Sequence, residues 1–458
     1  MKEDIYQPDP EHFTFQTGKG LSEDVVRAIS RAKDEPEWML DFRLKSYHHF
    51  MGKPIPTWGP DLSALNFDEI TFYARTEAQT ARTWEEVPEE IKRTYERIGI
   101  PQAEQRFLAG VVAQYESESI YENLKRPYEN LGIIFTSLDT AVKEYPDLVR
   151  RYFMTKCVPP QDNKFAALHG AVWSGGSFVY VPAGIQVPIP LQAYFRMNAA
   201  QMGQFEHTLI IAEEGSSVHY IEGCTAPQYS LNSLHSAVVE IYVGESAKVR
   251  YTTIQNWSKD VWNLNTKRAV VETDGVMEWV GGSMGSGVTM LYPGSVLLGK
   301  GARADHLNIS LAGTGQRKDT GARVIHVAPH TTSRIVSKSI SVGGGWGGFR
   351  GQVQIGKDAI GSKASVRCDA LILDDHSRSD TWPDLQIHQA ETAVSHEATV
   401  GKVSEEQLFY LMSRGLKETE AMAMIVSGFI EPVSRELPME YAVELNRLLT
   451  MEMEDAVG

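Results

Sequence analysis

Between about residues 161 and 403, apolar and polar positions alternate with a period of two. The runs "HTLIIAEEGSSVHYIEG", "SAVVEIYVGESAKVRYTTIQNW", "KRAVVETDGVMEWVGG" and "SVLLGKGARADHLNISLAG" each read as two short strands joined by a glycine-containing turn. The turn glycines Gly215, Gly244, Gly275 and Gly301 are 29, 31 and 26 residues apart. A quasi-repeat of that length without intervening helical patterns predicts a solenoid of stacked rungs. A β-sandwich is the competing architecture, and the near-constant glycine spacing favours the parallel β-helix. Residues 1–160 are mostly helical in pattern. "SEDVVRAISRAK" has Ser22 as N-cap, "PEWMLDFRLKSYHHF" has Pro36 at its first helical position, and "PEEIKRTYERIG" runs from Pro88 to a stop at Gly99. Between the second and third lies "MGKPIPTWGPDLSALNF", too rich in Pro and Gly to be regular. Residues 404–458 return to helix. "SEEQLFYLMSRG" opens with Ser404 and Gln407 placed as a capping box, "KETEAMAMIVSGF" follows to complete a hairpin, and "PMEYAVELNRLLTMEME" adds a third amphipathic helix. The apolar face of these helices would cover the end of the solenoid or dock a partner.

Composition narrows the class. At 458 residues the chain is long for one compact core, so two or three domains, or one elongated domain with appendages, are expected. With 44 basic against 59 acidic residues the net charge is −15, which argues against nucleic-acid and anionic-membrane partners. Three cysteines without a CxxC pair suit a reducing compartment. The start lacks the apolar core of a signal peptide and no apolar run approaches the length of a membrane span, so the expected location is cytoplasmic. Phosphate-loop and zinc-protease motifs are both missed. In "GKDAIGSK" Gly361 is followed by Ser362 and then Lys363, and His396–Glu397 has no second His four residues on. "GGGWGG" reads as a turn. Any energy requirement would be met by another protein.

The chemistry concentrates on cysteines in strands. "KASVRCDALILDD" (363–375) puts Cys368 mid-strand beside Arg367, which would favour the thiolate if close in space. His396 follows Cys368 by 28 residues, close to one rung, so thiol, imidazole and the Glu397 carboxylate fall on neighbouring rungs about 4.8 Å apart. That set suits iron or zinc. Strand alternation forbids His396 and Glu397 from both facing as Cys368 does, and the sequence leaves open which one does. Asp374, Asp375 and His376 are either extra ligands or a solvated turn. Cys224 precedes Cys368 by 144 residues, or five rungs, which is roughly 24 Å along the axis. The two thiols cannot share a metal, and if both act, something travels between them. Cys157 reads as structural.

The runs "YFRMNAAQMGQFEHTLIIAEEGSSVHYIEGCTAP", "LHSAVVEIYVGESAKVRYTTIQNW" and "VSHEATVGKVSEEQLFYLMSRGL" closely resemble SufB-type scaffolds of the SUF iron–sulfur cluster assembly system, within the SufB/SufD family. The resemblance extends from about residue 110 to the C-terminus. It implies a right-handed parallel β-helix between helical ends, on which a transient iron–sulfur cluster forms before transfer to acceptor proteins. It implies a SufC-type ABC ATPase docked by the C-terminal helices, and a SufD paralogue or a second copy paired through the β-helix. Sulfur would arrive as persulfide from a cysteine desulfurase and its carrier. By the same resemblance Cys224 accepts sulfur, Cys368 and Glu397 hold the nascent cluster with His396 beside them, and Arg196, Asn198, Gln255, Trp257 and Lys267 line the passage between the thiols. Arg196 and Lys267 would there stabilise an anionic persulfide. Reduced flavin is a further implied cofactor. An oxygen or nitrogen co-ligand beside thiolate keeps a cluster labile, as a scaffold that releases its product requires. Ser395 stands where some members carry a further acid, and their N-terminal cysteine cluster is absent here. The alternatives are a SufD-like structural subunit and, from another class, a β-helix carbohydrate-active enzyme, for which no acidic pair with a groove is evident.

Overall fold

The structure is a computed structural model and describes residues 13–76, 80–87, 92, 108–197, 201–225 and 233–437. Apart from residue 92, the expected helices at 88–99 and 438–454, and Asn198, lie outside the described residues. Two long sheets face each other and wind a β-solenoid of about seven turns, with helices toward both termini. In spatial order the first sheet holds β4 (Glu118–Leu124), β3 (Gly110–Tyr115), β7 (Leu191–Arg196), β10 (Ser217–Thr225), β13 (Lys248–Trp257), β15 (Val276–Gly285), β18 (Arg303–Ala312), β20 (Thr332–Ser341), β22 (Lys363–Ile372) and β24 (Ala393–Lys402). The second holds β5 (Ile134–Ser137), β6 (Gly176–Val181), β9 (His207–Ala212), β12 (Val238–Val243), β14 (Val261–Val271), β16 (Val288–Leu291), β19 (Arg317–His326), β21 (Trp346–Ile355) and β23 (Arg378–Ile387). Short strands β17 (Gly294–Leu297), between β14 and β19, and β11 (Ser233–His235), between β14 and β8 (Gly203–Gln204), add to it, and β1 (Phe13–Gln16) pairs separately with β2 (Ala74–Thr76).

From β10 to β24 the first sheet is parallel and its register does not slip within any pair. Each strand lies 27 to 31 residues after its neighbour, as from Val276 to Arg303 and from Ser217 to Lys248. The expected repeat is therefore real, but its glycines serve two purposes. Gly215 and Gly301 adopt positive φ (63° and 72°), whereas a Cβ on Gly244 would lie 2.8 Å from the Ala212 carbonyl oxygen. The glycine-rich stretch at 343–348 is only half a turn: Gly343 and Gly344 have positive φ, and Trp346 already starts β21.

The interior is built by columns of inward side chains. Ala269, Val324 and Val353 stack on one sheet and Val218, Tyr220 and Val249 on the other, all within one apolar core. A helical turn α3 (Arg126–Glu129) sets Tyr128 against the interior core, while the outside of the second sheet is covered by α1 (Glu23–Ala32), α2 (Glu37–Gly52), α4 (Leu138–Glu144), α5 (Pro146–Tyr152) and α6 (Lys164–Val172) through two further apolar clusters. Ser22 caps α1 as expected, accepting from the Val25 N–H, whereas Pro36 sits one place earlier than expected, as the N-cap of α2. The first 160 residues also supply β3, β4 and β5, so the N-terminal region extends both sheets as well as covering one.

Ser404 accepts from the Gln407 N–H at the start of α7 (Glu405–Ser413), which leads into α8 (Glu418–Ser434). This hairpin does not close the end of the solenoid. Met422, Val426, Ile430 and Val433 of α8 bury against Ile254, Val280, Ile309 and Ile340 on the outer face of the first sheet. Among the described residues nothing covers the last rung. Inward-facing Leu385, Ile387 and Val400 are 39%, 46% and 54% exposed, and β23 and β24 are the free edges of their sheets. Ile335→Ala, in the sealed middle, should cost about 2–5 kcal/mol. Leu385→Ala, at the open end, should cost under about 1 kcal/mol. Urea unfolding of the isolated chain at low concentration measures both.

Candidate functional site

All three cysteines are free and buried. Cys224, near the end of β10, points into the solenoid between ladder neighbours Phe195 and Gln255, and is 1% exposed. Its Sγ donates to Glu222 Oε1 at 3.8 Å. Lys267 Nζ reaches the same oxygen at 3.0 Å and the Tyr251 hydroxyl at 2.8 Å. A second buried network adjoins it. His235 bonds Glu206 through Nε2 and Asn263 Oδ1 through Nδ1 (2.7 Å), Asn263 donates to Gln255 Oε1 (2.8 Å), and the His235 ring lies 4.2 Å from the Trp257 ring. Gln255, Trp257 and Lys267 thus gather around Cys224. Arg196 ends β7, buried, with Tyr115 and Thr225 as ladder neighbours, one residue along from Cys224.

Burial pushes the Cys224 thiol well above its usual pKa, Glu222 and Glu206 add to the rise, and Lys267 opposes it. For Glu222, burial alone would raise the carboxyl, but the Lys267 charge and hydrogen bonds from Tyr251 and Lys267 bring it below its ordinary value. Sequence reading missed Glu222, Glu206, His235, Tyr251 and Asn263. A usable signal existed: in "YIEGC" the acid stands two residues before the thiol, so a strand places both on one face.

Cys368 sits mid-strand in β22, inward, 5% exposed, with Ser337 and Ala398 as ladder neighbours and Thr381 Oγ1 at 3.9 Å from Sγ. Arg367 does not promote its ionisation. The guanidinium points to the outer face and binds Asp369 at 3.2 Å, while burial, aided by Asp369 and opposed by the Thr381 hydrogen bond, raises the Cys368 pKa. The register decides which of the next pair faces Cys368. His396 opposes Val366 and so shares the inward face, two positions along, whereas Glu397 opposes Arg367 and is exposed outside. Glu397 therefore does not converge on Cys368 within the chain, because adjacent strand residues take opposite faces. His396 Nε2 has no hydrogen-bond partner among the described residues. Among those residues no group of three or more His, Cys, Asp and Glu is placed to hold a metal ion. Asp374 instead ties a turn, accepting from the N–H groups of Gly343, His376 and Ser377. Cys157 donates to the Arg268 carbonyl at 3.1 Å.

Five ladder steps separate the strands of the two thiols, as the periodicity implied. The column through Cys368 reads Glu222, Thr253, Gly281, Asn308, Ser337, Cys368; the one through Cys224 reads Cys224, Gln255, Ser283, Ser310, Ser339, Ala370. Small and polar side chains thus make up the two columns that run between the cysteines. A void of about 20 Å³, room for a single water, lies beside Thr253, Gly281, Ser283 and Asn308 of these columns.

Sequence profiles settle the lineage. The profile described as SUF system FeS cluster assembly, SufBD core domain, matches residues 195–429, and that of the SufBD protein N-terminal region matches 110–193. This chain belongs to the SufBD family of iron–sulfur cluster assembly proteins. Its relatives include the iron–sulfur cluster assembly protein SufB of Bacillus subtilis, 57% identical over 97% of this chain and 95% of the relative. Another is an iron–sulfur cluster assembly SufBD family protein of Staphylococcus aureus, 59% identical over the same shares. Among the described residues no helix is long and apolar enough to cross a membrane.

Because both thiols are raised, their alkylation by iodoacetamide at pH 7 should be slower than that of an unstructured cysteine. It should climb about tenfold per pH unit, since thiolate is the reactive form and its fraction grows tenfold per unit below the pKa. Mass spectrometry of the labelled peptides should show Cys368, beside the open rung, reacting before Cys224.

Proposed function

We propose that this SufBD family member is a SufB-type scaffold: Cys224 takes sulfur from a persulfide donor, the polar interior passes it along, and a nascent cluster forms at Cys368. The supporting observation is the pair of buried free thiols on one sheet, five ladder steps apart and linked by small and polar inward side chains. The iron–sulfur cluster is cargo. His396 shares the inward face with Cys368, Glu397 stands on the rim of the same edge strand, and the remaining ligands come from the subunit that covers β23 and β24. That subunit is a SufD-type paralogue or a second copy. The chain is not itself the ATPase. A SufC-type ATPase docks on α7, whose Phe409 and Tyr410 are 73% and 56% exposed. The desulfurase and its carrier supply the sulfur, in the cytoplasm.

The reading that a flavin binds is supported by a cavity of about 890 Å³ outside the solenoid, lined by Trp58, Lys164, Arg268, Tyr292, Arg323 and Arg350, which is large enough for one. Arg323 Nε there has no hydrogen-bond partner among the described residues. The cations suit a phosphate and the aromatic faces a flat ring, and a reduced flavin would supply electrons for assembly. Flavin mononucleotide should quench tryptophan fluorescence in the parent and do so at roughly tenfold higher concentration in Arg323→Gln.

Anaerobic reconstitution tests the central reading through visible cluster absorbance. Cys368→Ala should lose the cluster with either sulfur source. Cys224→Ala should lose it only when sulfur comes from the desulfurase, and should keep it with free sulfide. A Cys368→Ala protein that assembles a normal cluster refutes the scaffold. For docking, Phe409→Ala with Tyr410→Ala should weaken capture of the ATPase about 30-fold, as for an aromatic hot spot.

A further inference from the structure

A thiol is a poor nucleophile until it loses its proton, and the chamber around Cys224 makes that loss hard. A base must therefore stand within reach of Sγ. The groups that face the thiol differ in what they can accept. Tyr220 and Tyr251 are phenols driven upward by burial, so they donate. Lys267 is a donor. Glu206 holds His235 through Oε1 and leaves Oε2 without a partner among the described residues, but the Cys224 thiol donates to Glu222 and not to it. Glu222 remains: its Oε1 already accepts from Cys224 Sγ, and it lies two residues earlier on the same strand and the same face.

We propose that Glu222 is the base for sulfur acceptance at Cys224, and that Lys267 changes counter-ion during the step. The proposal rests on the sulfur-acceptor reading of Cys224. At rest the Lys267 ammonium neutralises the Glu222 carboxylate at 3.0 Å, with both side chains at most 1% exposed. When a persulfide R–S–SH arrives, the Cys224 proton moves to Glu222 Oε1 and the thiolate attacks the outer sulfur. The donor's S–S bond breaks, its electron pair leaves on R–S⁻, and an S–S bond forms at Cys224. R–S⁻ then takes the proton of the new persulfide, leaving R–SH, Cys224–S–S⁻ and a neutral Glu222 acid. Nothing is oxidised or reduced overall. Lys267, no longer balanced by Glu222, becomes the partner of the persulfide anion. One proton transfer thus both creates the nucleophile and frees the cation that holds its product.

The test uses the full chain and a small-molecule persulfide, cysteine persulfide, under anaerobic conditions. Mass spectrometry follows one added sulfur on the Cys224 peptide. At pH 7 Glu222→Gln should slow uptake about 100-fold, within the usual worth of a general base, and Glu222→Asp should recover most of the rate. Raising the pH should rescue Glu222→Gln tenfold per unit while leaving the parent nearly flat, because hydroxide replaces the missing base. The double variant Glu222→Gln with Lys267→Met removes both charges together and guards against misfolding, with melting curves as the check. It should be as slow as Glu222→Gln. Parent-like uptake by Glu222→Gln, or a deficit that no pH repairs, overturns the proposal while leaving the acceptor reading standing. A parent chain that gains no sulfur on Cys224 overturns both.

Discussion

Unbroken parallel register is the constraint on which the molecule depends. Over the seven strands from β10 to β24, each residue sits beside the one a rung away, and the ladder hydrogen bonds penalise any slip. A shift by one residue would turn every inward side chain outward. It would eject Cys224 and Cys368 from the interior together with the polar columns between them. The turns absorb the variation in rung length, which is why the spacing wanders by a few residues while the columns stay straight.

That interior is expensive. Lys267, Glu222, Glu206 and His235 are all buried, and a buried ion pair seldom stabilises more than a well-packed apolar replacement would. Their retention makes sense as chemistry. The apolar stabilisation comes from elsewhere, from Val324, Val353 and Ile335 inside and from the clusters that pack helices against both outer faces.

Much of this was legible in the sequence. The solenoid, the separation of the two thiols and the caps at Ser22 and Ser404 all follow from period and spacing, which are local properties of the chain. Sidedness was not legible. In "TTIQNW" alternation marks two faces but does not say which is inside, and here Ile254 faces out beneath α8 while Thr253 and Gln255 face in. The same ambiguity hid which of His396 and Glu397 faces Cys368, and it made Arg367 look like an activator when it binds Asp369 outside. The position of the terminal hairpin on a flank, instead of over the open rung, depends on that outward apolar stripe.

The two ends of the solenoid are unlike. At the first, β3 and β4 turn antiparallel, β4 is met by Ala81 at Tyr121, and Trp84 stacks on that tyrosine at 4.1 Å. At the other, no described residue covers the rung. A rod that is blunted on one side can be joined only once. Were two such rods to meet tip to tip, their adhesive surface would be used up and growth would stop, so a long sheet with naked margins, ordinarily a seed for fibrils, would end as a finite pair.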